Sequence, residues 1–379
     1  MSDIYEELGV KKLVNAAGTY TIVGGSRMSP EALEAMCQAA ASHVTIREMQ
    51  AAVHREIASL TKNEAAVITA GAIVGVYLCM AACISKKFGK PLKYISKEDI
   101  ASSEIIMFRA HRNPYDRGIE LLGCKLVELG YPNNIDIVTE EGLENAITDK
   151  TVGMLYLPST NGGWVPPGAL ELDKTLAICK RYDIPVVVDA AAQLPPKKNL
   201  WYFTEEMGAS AVCFSGGKDL KGPQTTGVVL GKKSLLDWVN VNNFPNYGIG
   251  RMHKVGREEL AGIYVAVKQY VEHDEAERFA YAEQVVQNFV EAFGEEDAFH
   301  FERAFPNEAG QPLPRAKLII TKPGLMPETL RDLMLDLDRA IFSIVENGHL
   351  YVNPYCINSE EAQYILDVYK IINEKEKTI

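Results

Sequence analysis

The chain has 379 residues, of which 47% are apolar and 23% charged, a composition typical of a globular protein long enough for two domains. A formal net charge of −11 without a long Lys/Arg run disfavours a nucleic-acid partner. The seven cysteines form no CxxC pair, so we expect reduced thiols in a cytoplasmic protein, with no disulfide and no metal site. Because the first residues are acidic, we expect no secretion signal. The apolar stretch 65–87 contains glycines and ends in lysines, so we expect it to be buried and not to span a membrane.

An arm and two helices are predicted over the first sixty residues. A short helix and a glycine-rich turn at 24–27 come first. Ser29-Pro30 is typical of a helix start, with serine as the N-cap and proline at the first helical position. A second helix is predicted at about 47–61.

A strand is predicted to end at about Thr69, and a helix to begin at about Gly71 and continue through Ala82. The unpaired backbone N–H groups and the dipole at such a helix start suit a phosphate. The small residues Gly71 and Ala72 would let that phosphate touch the backbone. An ordinary strand–helix junction is the alternative.

The next predicted elements alternate between strands and helices. They are strands at 105–108, 124–129 and 152–157, and helices at 142–147 and 170–182. Ser159 and Asn161 follow the third of these strands and are candidates for polar contacts to a ligand at the same sheet edge.

An apolar, β-branched strand at 184–189 ends on the carboxylate of Asp189. In a parallel sheet this residue lies at the carboxyl edge, where ligands bind. Gln193 follows one helical turn later, a spacing that suits a contact to the phenolic oxygen of a cofactor; a helix-start glutamine without that role is the alternative.

A glycine-rich turn with Lys218 stands between predicted strands at 209–214 and 228–230. A lysine in a dry turn loses solvation, so its pKa falls and the neutral amine can form a Schiff base with a carbonyl. Ser215, three residues earlier, can face the same ligand. Lys218 and Asp189 are the two protein groups that a pyridoxal 5'-phosphate site requires, because the carboxylate stabilises the protonated pyridine nitrogen. A surface turn with solvated lysines is the alternative.

The segment 215–224, SGGKDLKGPQ, resembles the lysine motif of the bacterial selenocysteine synthases, the seryl-tRNA selenium transferases. The resemblance runs from about Leu13 to about Val267 and is greatest to the smaller metabolic branch that includes D-glucosaminate-6-phosphate ammonia-lyase. It implies pyridoxal 5'-phosphate and the aspartate-aminotransferase-like α/β fold (fold type I), with a large, mostly parallel sheet domain and a smaller α/β domain. Gly217 stands where the motif usually has Asp and one extra Thr follows the Gln, departures that disfavour tRNA-dependent chemistry.

The resemblance also implies roles for single residues at the cofactor. Gly71 and Ala72 would cradle its phosphate, and Ser215 would add a hydroxyl. His111, in the loop after the strand at 105–108, would stack its ring on the pyridine; a surface histidine is the alternative. We therefore expect Lys218, Asp189 and His111 to be the catalytic residues.

Four basic residues are candidates for binding a substrate anion. Arg251 and Lys254 lie in a glycine-rich basic segment before a predicted helix at 257–273, similar in position to an anion-binding segment of the selenocysteine synthases. An Arg fork suits a carboxylate or phosphate; a plain helix start is the alternative. Arg112 and Arg27 are further candidates. In the resembling families the N-terminal arm lies near an active site, often the partner subunit's, so we expect a homodimer or higher homo-oligomer.

The last hundred residues are predicted to form a small α/β domain. The predicted elements are a long acidic helix from about 275, a strand at 317–321, a helix at 328–339, a two-stranded piece at 341–345 and 350–353, and a final helix at 359–373. We expect three segments: an N-terminal arm and helix at 1–50 that contributes to the small domain, a pyridoxal phosphate domain at 51–265, and the small domain at 266–379.

Three functions are compatible with these patterns. The first is a lyase that carries out α,β-elimination on a hydroxy sugar amino acid such as D-glucosaminate 6-phosphate, giving a 2-keto-3-deoxy acid and ammonia. The second is another chemistry of the same cofactor: selenium transfer, amino transfer or aldol cleavage. The third is a non-catalytic scaffold, which the lysine, aspartate and phosphate turn disfavour. The resemblance favours the first, with a small anionic amino acid as substrate.

Overall fold

The structure, a computed structural model, describes residues 3–133, 135, 137–158 and 166–378. Its α-helices, in chain order, are α1 Ile4–Glu7, α2 Pro30–Ala40, α3 Ile46–Leu60, α4 Ala72–Phe88, α5 Lys97–Ser102, α6 Arg117–Glu120, α7 Glu140–Ala146, α8 Leu172–Arg181, α9 Asn199–Trp201, α10 Lys233–Asn242, α11 Arg257–Glu272, α12 Glu275–Glu291, α13 Pro327–Asp336 and α14 Ser359–Thr378.

The strands are β1 Leu13–Asn15, β2 Ala65–Thr69, β3 Glu104–Phe108, β4 Lys125–Leu129, β5 Thr151–Tyr156, β6 Val186–Asp189, β7 Ala211–Ser215, β8 Gly227–Gly231, β9 Phe299–Ala304, β10 Arg315–Ile320, β11 Ala340–Phe342, β12 Val345–Glu346 and β13 His349–Val352. A π-helical turn, Tyr202–Glu206, follows α9 directly.

The chain divides into two compact units. The large unit comprises Arg27–His273 and Ala309–Gln311, and the small unit comprises the chain up to Ser26, Asp274–Glu308 and the chain from Pro312 onward. The boundaries differ from those expected at residues 50 and 265, because α2 and α3 both pack on α11 and so belong with the large unit.

A seven-stranded sheet forms the centre of the large unit, in the order β2-β8-β7-β6-β5-β3-β4. Strands β7, β6, β5, β3 and β4 are parallel neighbours, and β8 runs antiparallel to both strands beside it, β2 and β7. This is the mostly parallel sheet predicted from the alternation of strands and helices.

Side chains alternate along these buried strands between two hydrophobic clusters. In β6, for example, Val186 and Val188 join the cluster that contains residues of α3, α8 and α11, and Val187 joins the one that contains α4 and α10. Helices therefore cover both faces of the sheet, and the carboxyl edge of its parallel strands is where ligand-binding loops can collect.

Hydrogen bonds at both ends of α2 explain where this helix begins and ends. Ser29 Oγ accepts a hydrogen bond from the Ala32 N–H (3.1 Å) with Pro30 at the first helical position, as predicted. At the other end of α2, the Arg257 guanidinium donates to the carbonyls of Ala39 (2.8 Å) and Ala40 (2.9 Å). These contacts satisfy backbone groups that a helix end leaves unpaired.

The small unit contains two separate sheets and one hydrophobic cluster. Its four-stranded sheet has the order β12-β13-β10-β9. The two-stranded piece predicted from 341–345 and 350–353 is wrong in part: β11 pairs in parallel with β1 and not with β13, whereas β12 does pair with β13. Neither β1 nor β9 was predicted as a strand, because β1 is three residues long and the second half of β9 is charged and exposed.

No helix in the described ranges is both long and apolar enough to cross a membrane.

Candidate active site

Four neighbouring strands, β2, β8, β7 and β6, bring the predicted site residues to one edge of the large sheet. Ser215, the last residue of β7, lies in register with Gly227, and Gly227 in turn lies in register with Thr69, the last residue of β2. One strand further, Asp189 lies opposite Cys213, two residues before Ser215. The carboxyl edge of the sheet therefore gathers the serine, the aspartate and the turn after Thr69.

Gly71 shapes the turn between β2 and α4. It adopts φ 86°, a left-handed conformation that favours glycine, and its N–H donates to the Thr69 carbonyl (3.0 Å). The Thr69 hydroxyl donates back to the Gly71 carbonyl (2.9 Å), and no side chain of the described residues caps α4 at its N-terminus. Within the described part of the chain, a long helix thus begins with backbone N–H groups that no capping side chain occupies, which is the arrangement that binds phosphate.

The turn that carries Lys218 is compact. Glycines stand at two positions where another part of the turn comes too close for a Cβ. A Cβ at Gly216 would collide with the Thr226 hydroxyl, and one at Gly217 would collide with the Gln224 backbone. The second collision explains why this chain has glycine where the resembling motif has Asp. Lys218 is half-buried in this turn, whereas Lys221 is exposed.

The surroundings of Asp189 have opposing effects on the pKa of its carboxyl. Burial raises the pKa of its carboxyl above the usual value. The Ala191 N–H, which donates to Oδ1 at 3.1 Å, and the positive charge of Lys218 lower that pKa and oppose the effect. Lys218 and Asp189 therefore interact electrostatically, as a lysine and an aspartate of one site must.

His111 is almost fully buried at the end of β3, with 2% of its surface exposed. Its Nδ1 accepts a hydrogen bond from the Leu157 N–H (3.2 Å), and its ring meets Tyr156 edge-on at 4.5 Å between centroids. Burial lowers the pKa of His111 to about 3, so its imidazole is neutral. The alternative of a surface histidine is wrong.

Arg112 is already neutralised by acidic neighbours. Its guanidinium makes two hydrogen bonds to Asp116 (2.6 and 3.1 Å), one to Glu120 (3.1 Å), and an ion pair with Glu128. A guanidinium whose donors are occupied by three carboxylates has a structural role. The expectation that Arg112 binds a substrate anion is therefore corrected.

The guanidinium of Arg251, unlike that of Arg112, has no carboxylate partner among the described residues. Its guanidinium lies over the rings of Phe244 (5.3 Å) and Tyr247 (5.7 Å), and it forms no ion pair within the described part of the chain. Lys254 is exposed three residues later. Both remain predicted anion contacts.

Arg27, predicted to contact a substrate anion, and Gln193, predicted to contact the cofactor, are far apart in the sequence of the large unit. Arg27 is exposed at the first residue of that unit. Gln193 is buried, and its amide nitrogen donates to the Ala309 carbonyl at 3.1 Å. Ser159 and Asn161 lie outside the described residues.

Comparison with known proteins decides the family. The family model for L-seryl-tRNA selenium transferase matches residues 13–296. The chain belongs to the L-seryl-tRNA selenium transferase family. The family and the fold type I architecture predicted from the sequence are confirmed, and with them pyridoxal 5'-phosphate as the cofactor.

Several members and structural neighbours of this family resemble the chain over most of its length. D-glucosaminate-6-phosphate ammonia lyase of Salmonella typhimurium is 30% identical over 71% of this chain and 70% of its own. A 5'-C-glycyluridine monooxygenase-decarboxylase of a Streptomyces species is also 30% identical, over 73% and 67%. A solved structure of D-glucosaminate-6-phosphate ammonia-lyase superposes with a TM-score of 0.81 and 25% identity, covering 100% of both chains.

The residues at this edge of the sheet fit pyridoxal 5'-phosphate. Gly71, Ala72 and Ser215 would hold the phosphate, Asp189 the pyridine nitrogen and Lys218 the aldehyde carbon. Gly227 was missed from the sequence: a Cβ on it would lie 2.6 Å from the Ala72 nitrogen, so only glycine lets β8 pass this close to the phosphate turn. A glycine as the first residue of an otherwise apolar strand was the signal.

Proposed function

We propose that this chain is a pyridoxal phosphate-dependent ammonia-lyase. Its substrate would be a hydroxylated sugar amino acid such as D-glucosaminate 6-phosphate, and its products a 2-keto-3-deoxy acid and ammonia. The observation that carries the proposal is the Lys218, Asp189 and Gly71 arrangement in a chain that superposes over its full length on a D-glucosaminate-6-phosphate ammonia-lyase.

The residues of the site have complementary roles in this reaction. Bound pyridoxal phosphate supplies a sink for the electron pair left at the substrate Cα. Asp189 would accept a hydrogen bond from the protonated pyridine nitrogen and stabilise its charge. Lys218, whose turn is partly shielded from water, takes the Cα proton with its neutral amine. His111 presents a neutral ring suited to stacking, and Gln193 is proposed to contact the phenolic oxygen.

The elimination balances without an oxidant or reductant. The Cα–H and Cβ–O bonds break, the Cα proton passes to Lys218, and the hydroxyl leaves with a proton as water. Hydrolysis of the resulting enamine consumes one water and releases ammonia and the keto acid. The net change is substrate to keto acid plus ammonia.

Substrate anions are assigned first to Arg251 and Lys254, which form no ion pair with a described residue. The Arg251 guanidinium lies over the rings of Phe244 and Tyr247, and Lys254 is exposed three residues later. These two residues are proposed to bind the substrate carboxylate or a distal phosphate, with Arg27 as a further contact.

The assembly and location expected from the sequence remain part of the proposal. The homodimer or higher homo-oligomer is proposed from the resemblance alone, in which the N-terminal arm often lies near the partner subunit's active site. None of the seven cysteines forms a disulfide, which supports a reducing, cytoplasmic location.

The experiment is a screen of purified protein against phosphorylated and unphosphorylated sugar amino acids. Visible absorbance of the protein with stoichiometric ammonia and 2-keto acid is the expected result. Carbon dioxide release with oxygen consumption would instead favour a reaction like the one that the Streptomyces relative's name describes, and amino transfer without free ammonia would favour a transaminase. Protein that does not bind the cofactor would be a scaffold, and the proposal would be wrong.

A further inference from the structure

The loop that carries His111 has little regular backbone structure. Residues 109–116 form two single 3-10 turns, each closed by one backbone hydrogen bond: Arg112 N–H to Arg109 (3.1 Å) and Asp116 N–H to Asn113 (3.2 Å). Such turns are weak on their own. Something else must hold the ring of His111 in place.

One buried carboxylate organises this loop. Asp116, 2% exposed, accepts hydrogen bonds from the Arg112 side chain and from the Asn113 N–H (3.0 Å). The Asn113 side chain in turn donates to the His111 carbonyl at 3.1 Å. A chain of hydrogen bonds therefore runs from Asp116 to the backbone of His111.

The same carboxylate connects the loop to the sheet. Arg112, held by Asp116, also forms an ion pair with Glu128 on β4, and Arg109 donates to Glu128 at 3.2 Å. A buried, bidentate Arg–carboxylate pair is directional, so it fixes orientation as well as position. The loop is thus attached to β4 through side chains.

The ring itself is fixed from the opposite side by Leu157, the residue after β5. Because Nδ1 of His111 accepts from the Leu157 N–H, Nδ1 carries no proton and the neutral ring carries its proton on Nε2. Nε2 makes no hydrogen bond within the described residues, so it can donate to a group bound in the site. A shift of the backbone at His111 would break the Leu157 contact and free the ring to change tautomer.

We propose that Asp116 is a positioning residue for the reaction: it holds the His111 loop so that the ring presents Nε2–H to the cofactor or substrate. Asp116 acts through Asn113 and Arg112 and touches no reacting atom. The inference rests on the proposed function, in which the His111 ring lies at the cofactor.

The test compares Asp116→Asn with Glu104→Gln in the holoenzyme. Glu104, like Asp116, is a buried carboxylate, and it is paired with Lys125 (2.8 Å) and the Thr148 hydroxyl (2.7 Å). It is the first residue of β3 and therefore lies at the end of that strand away from the His111 loop. If Asp116 stabilised the fold only through its ion pair, as Glu104 does, the two substitutions should have the same effect on the His111 ring and on the cofactor. Histidine 15N NMR reports the tautomer, with His111→Gln to assign the signal, and visible circular dichroism reports the setting of the cofactor.

In wild type and Glu104→Gln we expect one His111 tautomer, protonated at Nε2. In Asp116→Asn we expect mixed tautomers, a weakened cofactor dichroism band and a kcat about ten- to hundred-fold lower at little-changed KM. A His111 signal and dichroism band in Asp116→Asn equal to those of Glu104→Gln would overturn the proposal. If Asp116→Asn does not fold, Arg112→Lys, which keeps the charge but loses the bidentate fork, gives the same comparison.

The NMR measurement separates this inference from the proposed function. The tautomer is read in resting protein, so it tests Asp116 even if no ammonia is released from any sugar amino acid. Absence of the lyase reaction would overturn the proposed function, and an unchanged His111 tautomer in Asp116→Asn would overturn the role of Asp116.

Discussion

Gly227 at the start of β8 lies against Gly71 so closely that a Cβ at position 227 would collide with the Gly71 carbonyl and lie 2.6 Å from the Ala72 nitrogen. Because Gly71 begins the phosphate turn, we expect Gly227→Ala to displace that turn and weaken pyridoxal phosphate binding by about tenfold or more. Fluorescence titration of the apoprotein measures this. Gly118→Ala is the control: its Cβ would make ordinary contacts at 3.8 and 3.9 Å, and its affinity should equal that of wild type.

Lys218, and not Lys221, should bond to the cofactor. Lys218 is half-buried and interacts electrostatically with Asp189, whereas Lys221 is exposed. After borohydride reduction and proteolysis, mass spectrometry should find the pyridoxyl group on Lys218. Lys218→Ala should lose the label and Lys221→Ala should keep it; a label on Lys221 would contradict the assignment.

Asp189→Asn should bind the cofactor but lose most turnover. The amide cannot stabilise a protonated pyridine nitrogen, while the phosphate contacts at Gly71 and Ser215 remain. The ratio of kcat to bound cofactor measures the effect. Asp183→Asn, at an exposed aspartate with φ 53° that asparagine tolerates well, should retain wild-type turnover. Near-wild-type turnover in Asp189→Asn would mean that another group protonates the ring.

Arg251→Ala and Lys254→Ala should each discriminate between substrates with and without a phosphate. Loss of one charge-assisted contact costs about 1.5–3 kcal/mol, or about ten- to hundred-fold in kcat/KM. If either residue contacts the phosphate, the loss should be larger for the phosphorylated substrate than for its unphosphorylated analogue. Equal losses would assign the residue to the carboxylate or the cofactor, and no loss would exclude it from the site.

His54 should make the protein acid-sensitive. The edge strand β2 donates the Ile68 N–H to His54 Nε2 (3.0 Å), so the ring must be neutral. Burial lowers the pKa of His54 from 6.5 to about 4. Since the folded pKa is the lower one, this stabilisation is complete above pH 6.5 and is lost as pH falls toward 4, by at most about 3 kcal/mol.

Urea unfolding at several pH values measures this dependence. His54→Gln, which keeps a hydrogen-bond acceptor but does not titrate, should lose less stability than wild type between pH 6.5 and 4. His43→Gln, at an exposed histidine, should follow the wild-type curve. A His54→Gln curve parallel to that of wild type would contradict the prediction.

The sequence by itself determined the parts of the site that follow local rules. Asp189 ends a β-branched strand, Gly71 separates a strand from a long apolar helix, and Lys218 stands in a glycine-rich turn between two strands. Each pattern is read within about a dozen residues, and the parallel sheet then places strand ends at one edge. The cofactor and the fold could therefore be predicted, while the roles of Lys218, Asp189 and Gly71 at the cofactor stay predictions.

Only the tertiary structure decided which residues meet across long sequence separations. It placed Gly227 against Gly71, paired β11 with β1, and surrounded Arg112 with Asp116, Glu120 and Glu128, so that an apparent anion site became a support for His111. Local propensity contains no information about such contacts, because packing and ion pairing depend on neighbours that the fold brings together.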